Sequence, residues 1–463
     1  MTGAERIGEK RIRIALEGSH RGLARTGLAD AALTMLESGL RAVDPEEAVR
    51  RSVRREGETL WAGGREYRLV GRRVLLLAVG KAAGGMAAAL EEILDGWIAG
   101  GLVTMPAGAT APPLSLPVRE AGHPLPDEAS RACAEEAARL LRGARSGDLV
   151  LVALSGGASA LWSLPANGLG LTDLRETTRL LLESGAAIEE INAVRKHLEL
   201  LKGGGVPLLA PSARFLGLVL SDVVGDRLEA VASGPTMPDP SRFADAWRIL
   251  ERRRILDQIP SAVRARLEDG LSGKLPETPK AGHPVFARVE NLCVGSAQEA
   301  VAAIMRSAQA QGFAAACLTS TLQGEASQVG LVLGNILREE ALHGRPLPRP
   351  CALLAAGETT VSIAGKGRGG RNLELGLSAA SRLAGLRGVL LATVASDGID
   401  GNSGAAGVVV DGESWKSAEA SGLDPDGLLA RNDSLAFFQV VGGLLRTGPT
   451  GTNVNDFSLL LAE

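Results

Sequence analysis

Nearly uninterrupted apolar runs recur along the chain, and each of them ends in a short polar loop that contains glycine. Such runs, which lack a polar residue at every second position, are typical of strands buried on both faces of a parallel sheet. Five of them stand out, at residues 74–79, 149–154, 215–220, 351–356 and 389–395. Because ligands of open α/β sheets bind beyond the carboxyl ends of the strands, we expect the chemistry in these five loops.

Stretches with apolar residues at helical spacing separate the runs, so the sequence predicts an α/β fold. The chain has 463 residues, which exceeds one ordinary core and favours two domains. A stretch rich in Gly, Pro and Lys, at 269–284, is the predicted linker. We therefore expect a first domain at 16–268, after a charged extension at 1–15, and a second region at 285–463.

Composition and charge argue against nucleic acid and membranes as binding partners. The formal net charge of −3 provides no overall attraction to nucleic acid or to an acidic membrane. The five histidines show no metal-ligand spacing, so a histidine zinc site is not expected. No apolar run approaches the roughly 18 residues of a membrane span, and the N-terminus lacks the apolar segment of a secretory signal. We expect a cytoplasmic protein whose partners are small molecules.

The loop after the second run, SGGAS, has the composition of a phosphate cradle. Gly156 and Gly157 let the backbone turn sharply and approach a ligand, while Ser155 and Ser159 add hydroxyl groups. Backbone N–H groups in such a loop can converge on an anion. The alternative is a tight strand-to-helix turn with two capping serines, and the loop alone does not decide between the two.

A lysine stands where the first run passes into a predicted helix. Lys81 follows Gly80 at that point, and its charge opposes the helix dipole unless an anion shares the place. This favours an anion-binding lysine over one that points into water. The spacing of a Walker A loop is absent.

Charged and polar residues in the later loops are candidates for substrate and metal binding. Asp222 and Asp226 share the loop after the third run, where one could accept a hydroxyl proton and the other could hold Mg²⁺. Capping and turn formation explain the two acids equally well. Arg371, behind two glycines, can bind a carboxylate or a phosphate bidentately. Asp397 and Asn402 offer oxygens for a hydrated metal or for polyol hydroxyls, with a polar turn as the alternative.

Ten stretches, taken together and in this order, resemble the class II glycerate kinases, whose C-terminal part is called the MOFRL domain. The resemblance covers about residues 15–461. The stretches are GKAAGGMA, GHPLPDEAS, LSGGASAL, INAVRKHLELLKGGG, LSDVVGD, ASGPTMPD, GETTV, GGRNLELGL, SDGIDGNSGAAG and TGPTGTNVND.

The resemblance implies two α/β domains, the first Rossmann-like with a mostly parallel sheet, an active site in the interdomain cleft, and a MOFRL domain at about 350–460. It implies ATP-dependent phosphorylation of D-glycerate, typically to 2-phosphoglycerate, with Mg²⁺. The family's catalytic residues fall on Lys81, Asp222 and Arg371, and Asp226 stays open as the alternative base. The candidates for phosphate or nucleotide binding are Gly80, Ser155, Gly156, Gly157, Ser159, Gly203 and Gly204. Those for the substrate or a metal are Asp226, Glu358, Asp397 and Asn402, and the ligands of Mg²⁺ stay open.

Two other functions remain open at this point. An NAD(P)H-dependent hydroxypyruvate reductase, a label also given to members of this family, needs a G-x-G-x-x-G loop, and GKAAGG does not match it. A non-catalytic sensor of a phosphorylated small acid would use the same glycine loops and Arg371 for binding alone. The sequence also leaves open which hydroxyl is phosphorylated and whether the protein is a monomer or a homodimer.

Overall fold

The computed structural model describes residues 12–17, 27–225 and 227–463, which form two compact units. The central unit is Pro45–Ser296, and the terminal unit combines residues 12–17 and 27–44 with Ala297–Glu463. Asp226 lies outside the described residues.

Strands of the described residues alternate with helices along most of the chain. The strands are β1 (Ala15–Glu17), β2 (Val53–Glu56), β3 (Thr59–Ala62), β4 (Arg65–Arg68), β5 (Val74–Val79), β6 (Ile98–Pro106), β7 (Val118–Ala121), β8 (Leu149–Leu154), β9 (Arg214–Leu220), β10 (Val289–Gly295), β11 (Ala314–Leu322), β12 (Cys351–Gly357), β13 (Val389–Ala395), β14 (Gly407–Asp411), β15 (Leu444–Arg446) and β16 (Asp456–Ala462). The helices are α1 (Gly27–Ala42), α2 (Pro45–Ser52), α3 (Ala83–Leu94), α4 (Glu128–Arg142), α5 (Ala158–Leu161), α6 (Leu171–Glu183), α7 (Ile188–Leu198), α8 (Gly205–Leu208), α9 (Phe243–Arg252), α10 (Ser261–Leu271), α11 (Ala297–Ala310), α12 (Ala326–His343), α13 (Arg371–Leu383), α14 (Ser414–Ala420), α15 (Pro425–Ala430) and α16 (Ser434–Val441). None of the helices in the described part of the chain combines the length and the apolar character that a membrane crossing requires.

A six-stranded sheet forms the centre of the central unit, in the order β10-β9-β8-β5-β6-β7. Every neighbouring pair in this sheet is parallel, which confirms the expected mostly parallel sheet. The residues of β5 and β8 are buried throughout, as their unbroken apolar runs predict. In register, Val79 of β5 lies beside Leu154 of β8, and Leu154 lies beside Val219 of β9. The three strands therefore end side by side, and their loops emerge at one edge of the sheet. A separate antiparallel sheet, β2-β3-β4, completes the strands of this unit.

The terminal unit contains a seven-stranded mixed sheet in the order β1-β15-β14-β13-β16-β12-β11. Only the pair β11 and β12 is parallel, because β16 enters between β12 and β13 and runs antiparallel to both. Gly357 at the end of β12 and Ala395 at the end of β13 consequently both pair with Asp456, the first residue of β16. This register brings the loops after β12 and β13 to the same edge as the start of β16.

The two compact units differ from the domain limits expected from the sequence. The predicted linker, 269–284, lies inside the central unit, where Thr278 Oγ1 donates to Asp239 Oδ2 at 2.7 Å and Glu277 accepts from the backbone N–H of Phe243 at 3.0 Å. Its Gly and Pro content therefore marks an anchored loop. Helix α1, expected in the first domain, packs in the terminal unit because Gly39 permits a close approach to Ile304 of α11.

Candidate functional site

The loops after β5 and β8 are hydrogen-bonded to each other in the central unit. The N–H of Lys81 donates to the carbonyl of Gly156 at 2.9 Å, and the N–H of Ala82 donates to Ser155 Oγ at 3.0 Å. Gly80 has a φ of +128°, and a methyl group there would overlap Ser155, whose carbonyl carbon would lie at 2.8 Å. Only glycine allows the two loops to approach so closely, so Gly80 and Ser155 shape the site rather than merely border it.

Gly156 and Gly157 bring the loop after β8 against three polar side chains, those of Asp222, His123 and Lys81. A methyl group on Gly156 would lie 2.7 Å from Cγ of Asp222, in the loop after β9. Gly157, at a φ of +85°, faces Nε2 of His123 and Cγ of Lys81, at 3.1 and 3.6 Å from the position of a Cβ atom. Within the described residues, the N–H groups of Gly156 and Gly157 have no hydrogen-bond acceptor. A lysine, a carboxylate and two backbone donors thus converge at the predicted edge.

His123 was not among the residues singled out as functional, yet it adjoins this loop. Burial, and then the charge of Lys81, lowers the pKa of His123 below its ordinary value. The imidazole is therefore neutral near pH 7 and adds no positive charge beside Lys81.

Ser159 takes part in a chain of polar side chains behind the phosphate loop. Its Oγ lies 2.8 Å from Oγ of Ser233, whose hydroxyl donates to Oδ1 of Asn192 at 2.8 Å. Ser233 is fully buried and adopts a left-handed φ of 61°, a conformation that strains a residue with a side chain. Lys202 Nζ donates to the carbonyl of Ser159 at 2.9 Å and so fixes the end of the loop.

Gly203 and Gly204 serve the turn that carries Ser233. The N–H of Gly203 donates to the carbonyl of Ser233 at 2.9 Å, and the N–H of Gly204 donates to the carbonyl of Gly234 at 2.8 Å. Gly203 and Gly204 were predicted as candidates for phosphate or nucleotide binding. Their backbone N–H groups are instead taken up within this turn and are not available to a phosphate. Their physical role is the positive φ of 54° and 82° that the turn requires.

Arg371, at the start of α13 in the terminal unit, is held by two carboxylates. Its Nε and Nη2 atoms donate to the two carboxylate oxygens of Asp456 at 2.5 and 3.0 Å, and Nη1 donates to Glu358. Burial raises the pKa of Asp456 to about 7; Arg371 acts against this shift, while the charges of Asp400 and Glu358 act with it. The structure thus brings together Arg371 and the candidate Glu358, and adds Asp456.

The loop after β13 is organised by internal hydrogen bonds. Asp400 is buried and accepts from the N–H groups of Asn372 and Leu373 at 3.0 and 2.9 Å, which caps the first turn of α13. Asn402 exchanges two hydrogen bonds with Gly369, at 2.8 and 3.0 Å, and Asp397 accepts from the N–H of Ile399 at 3.1 Å. These contacts fit the polar-turn interpretation of Asp397 and Asn402. Across residues 12–17, 27–225 and 227–463, no group of three His, Cys, Asp or Glu side chains has the geometry of a metal site.

Comparison with known proteins provides the family. A domain of unknown function, DUF4147, matches residues 31–268, and the MOFRL family matches residues 351–456. The chain is 42% identical to the glycerate 2-kinase of Pyrococcus horikoshii over 94% of this chain and 97% of that protein. The chain belongs to the glycerate 2-kinase family.

Two further relatives of this glycerate 2-kinase family member are informative, one for its structure and one because it carries a different functional name. The crystal structure of glycerate kinase from Thermotoga maritima superposes with a TM-score of 0.83 at 39% identity, over 94% of this chain and 99% of that one. This agreement confirms the α/β fold with two domains. A protein of Agrobacterium vitis, 39% identical over 84% of this chain and 87% of its own length, carries the provisional name hydroxypyruvate reductase.

Several residues of the site have no distinguishing signal in the sequence. Asn192, Lys202 and Ser233 stand in stretches that carry the family resemblance, but spacing alone gives them no role. Asp456 stands at the start of an apolar run, where an acid signals an ordinary strand boundary. The predicted alternative base, Asp226, lies outside the described residues.

Proposed function

We propose that this protein transfers the γ-phosphoryl group of ATP to D-glycerate and releases 2-phosphoglycerate and ADP. The observation that carries the proposal is the convergence of Lys81 and Asp222 on the loop at Gly156 and Gly157. Phosphoryl transfer requires mainly that the reactants are positioned and that charge on the phosphoryl oxygens is neutralised. A lysine, backbone donors and one carboxylate at adjoining strand ends are suited to that task.

The glycine loop, Lys81 and Asp222 each have a distinct role in the proposed phosphoryl transfer. The N–H groups of Gly156 and Gly157 bind phosphate oxygens, and Lys81 neutralises their charge. Asp222 accepts the proton of the glycerate 2-hydroxyl as that oxygen forms its bond to the γ-phosphorus. The bond between the γ-phosphorus and the bridging oxygen breaks, and ADP leaves with the electron pair. Because Asp222 touches the glycine loop, the base and the bound phosphate lie close to each other.

Arg371 belongs to the proposal as an anion contact, either for the glycerate carboxylate or for the transferred group. Its two carboxylate partners differ in burial, since the side chain of Glu358 is 44% exposed and that of Asp456 is 9% exposed. Glu358 is therefore the partner that can give way to a ligand, while Asp456 orients the guanidinium. We keep Glu358 as a substrate or metal candidate on this basis.

Mg²⁺ is part of the proposal as the companion of ATP. Magnesium usually keeps several waters and is held largely through substrate phosphates, so the nucleotide phosphates at the glycine loop would supply part of its coordination, while Asp222 keeps its role as base. When bound, the ion neutralises charge on the nucleotide phosphates. A location in the cytoplasm, where ATP and Mg²⁺ are abundant, is included in the proposal.

A coupled assay tests the function and its regiochemistry. The protein is supplied with ATP, Mg²⁺ and D-glycerate, and the product is passed to enolase with and without phosphoglycerate mutase. Signal with enolase alone supports the 2-phosphate, whereas signal that appears only with mutase identifies the 3-phosphate. Oxidation of NADH by hydroxypyruvate, with no ATP consumption, would instead support the reductase named among the relatives. Ligand binding without turnover of either kind would support a sensor.

A further inference from the structure

Arg195 on α7 differs from the other polar side chains of its helix in having no partner. Within the described residues its guanidinium makes no hydrogen bond and no ion pair. By contrast, Lys196 pairs with Asp239 at 3.4 Å, and His197 lies 3.2 Å from Glu277. Burial lowers the pKa of Arg195, although its residue is still partly open to solvent. No nitrogen of Arg195 is among the buried side-chain atoms that lack a partner, so the guanidinium remains accessible and its N–H donors are open to the oxygen atoms of a ligand.

The position of Arg195 on α7 directs it toward the polar chain behind the phosphate loop. It lies three residues after Asn192 on α7, and helical side chains at this spacing share one face. Asn192 accepts from Ser233, which in turn meets Ser159. Arg195 therefore shares the helix face of Asn192, and its charge acts on Lys202, whose Nζ donates to the carbonyl of Ser159.

The local charge around Arg195 is not balanced. The carboxylate of Glu199 already accepts from Lys202 Nζ at 2.6 Å and from Ser163 Oγ at 2.8 Å. Burial, together with the charge of Arg195, lowers the pKa of Lys202 against the opposing effect of Glu199. Two cations thus face one carboxylate, and an anionic ligand would restore neutrality.

Arg371 offers a direct contrast within the same chain. Its Nε, Nη1 and Nη2 atoms all donate to the carboxylates of Asp456 and Glu358. A substrate carboxylate at Arg371 would meet one positive and two negative charges. At Arg195 the planar fork has no protein carboxylate to displace, so a bidentate carboxylate contact is available there.

We propose that Arg195 binds the carboxylate of the acid substrate, while the partly exposed hydroxyl of Ser159 contacts one of its hydroxyl groups. This proposal deepens the proposed function and rests on it: Arg195 is the residue that selects a hydroxy acid over an uncharged polyol. It assigns the carboxylate of the substrate to Arg195 of the central unit. The strained backbone at Ala232 and Ser233, with φ of 55° and 61°, places the buried Ser233 hydroxyl 2.8 Å from Oγ of Ser159 and so orients that hydroxyl.

Steady-state kinetics of Arg195→Gln test the assignment, with Arg195→Lys as the conservative variant. Arg175→Gln is the matched control, because Arg175 is exposed on α6 of the same unit. Loss of a charged bidentate contact should raise the KM for D-glycerate about 10- to 100-fold, with the KM for ATP unchanged. The ratio of activity on D-glycerate to activity on glycerol should fall in Arg195→Gln and recover in part in Arg195→Lys. A rise in the KM for ATP instead would mean that Arg195 binds nucleotide phosphate, and would overturn the proposal.

Thermal unfolding separates substrate binding from a structural role and does not depend on turnover. Since Arg195 has no partner in the described chain, Arg195→Gln without ligand should melt at or above the wild-type Tm. D-glycerate alone should raise the Tm of the wild-type protein and of Arg175→Gln, and should leave Arg195→Gln unchanged. A lower Tm without ligand, or an equal glycerate shift in Arg195→Gln, would overturn the assignment. If wild-type protein neither binds nor phosphorylates D-glycerate, the proposed function fails first, and this outcome is distinct from a failure of Arg195 alone.

Discussion

Gly156 provides a way to move one carboxylate without removing it. Gly156 does not have a positive φ, so alanine is compatible with its backbone conformation. A methyl group added there would lie 2.7 Å from Cγ and 3.3 Å from Cβ of Asp222. The side chain of Asp222, which is partly exposed, is the part that must give way. Gly156→Ala should therefore displace the side chain of Asp222, the proposed base, without removing its carboxylate.

The size of the displacement follows from these distances. Carbon atoms in contact prefer a separation of about 3.5–4.0 Å, so Cγ must retreat by roughly 1 Å from its 2.7 Å position. A misplacement of about 1 Å in a reacting geometry costs on the order of 100-fold in rate. We expect kcat for ATP-dependent phosphorylation of D-glycerate to fall by about that factor, and the KM for ATP to change little.

The assay is the enolase-coupled measurement of kcat, paired with a thermal melt. Gly295→Ala is the matched control, because Gly295 ends the neighbouring strand β10 and an added methyl would have its nearest atom at an ordinary 3.5 Å. The control should keep kcat, and both variants should keep a Tm close to that of the wild-type protein. If Gly156→Ala retains the wild-type kcat, Asp222 does not act as base from this position, and the proposed geometry of transfer is wrong.

Three further substitutions address the remaining residues. Lys81→Ala should lower kcat by about 10²- to 10³-fold with an unchanged far-UV circular dichroism spectrum, and near-normal turnover would remove Lys81 from the mechanism. Asp456→Asn should alter the pH dependence of stability: burial raises the pKa of Asp456 to about 7, so the folded state retains a proton that the unfolded chain releases near pH 4. The stabilisation from this group is present below about pH 4 and is lost as pH rises toward about 7. Urea unfolding at several pH values should therefore show the free energy of unfolding falling over this range in the wild-type protein but not in the variant. Equal slopes of the free energy of unfolding against pH would contradict the assignment. Gly204→Ala should lower the free energy of unfolding by about 1–3 kcal/mol, because its φ is +82° and a methyl would lie 2.8 Å from Phe286; an unchanged urea midpoint would refute this role.

The parallel half of the fold was predictable because its signals are local. The apolar runs at 74–79 and 149–154 coincide with β5 and β8, since a strand buried on both faces needs no polar residue. Parallel neighbours end at one edge, so the convergence of Lys81, Ser155 and Asp222 follows from the order of the runs and the loop chemistry. What the sequence does not provide is the contact between Gly156 and Asp222, which depends on how two loops fold over the sheet edge.

The terminal unit was less predictable because its contacts depend on long-range pairing. Asp456 meets Arg371 only because β16 inserts between β12 and β13 and runs antiparallel to both, across 85 residues of chain. No local periodicity encodes that register. The same holds for α1, whose packing with α11 depends on a small residue, Gly39, opposite Ile304.

The sequence context of an arginine does not predict its electrostatic role in the folded chain. Arg371 follows two glycines and looks like a free cation, yet with Asp456 and Glu358 ionised its cluster carries a net negative charge. Protonation of Asp456, whose pKa burial raises to about 7, would bring that cluster to neutrality. Arg195 lies within a helix among other charged residues and looks like part of a solvated face, yet no carboxylate in the described chain pairs with it. The capacity of each arginine to bind an anion therefore depends on the carboxylates that the fold brings to it, and this is why the carboxylate of the substrate is better matched to Arg195.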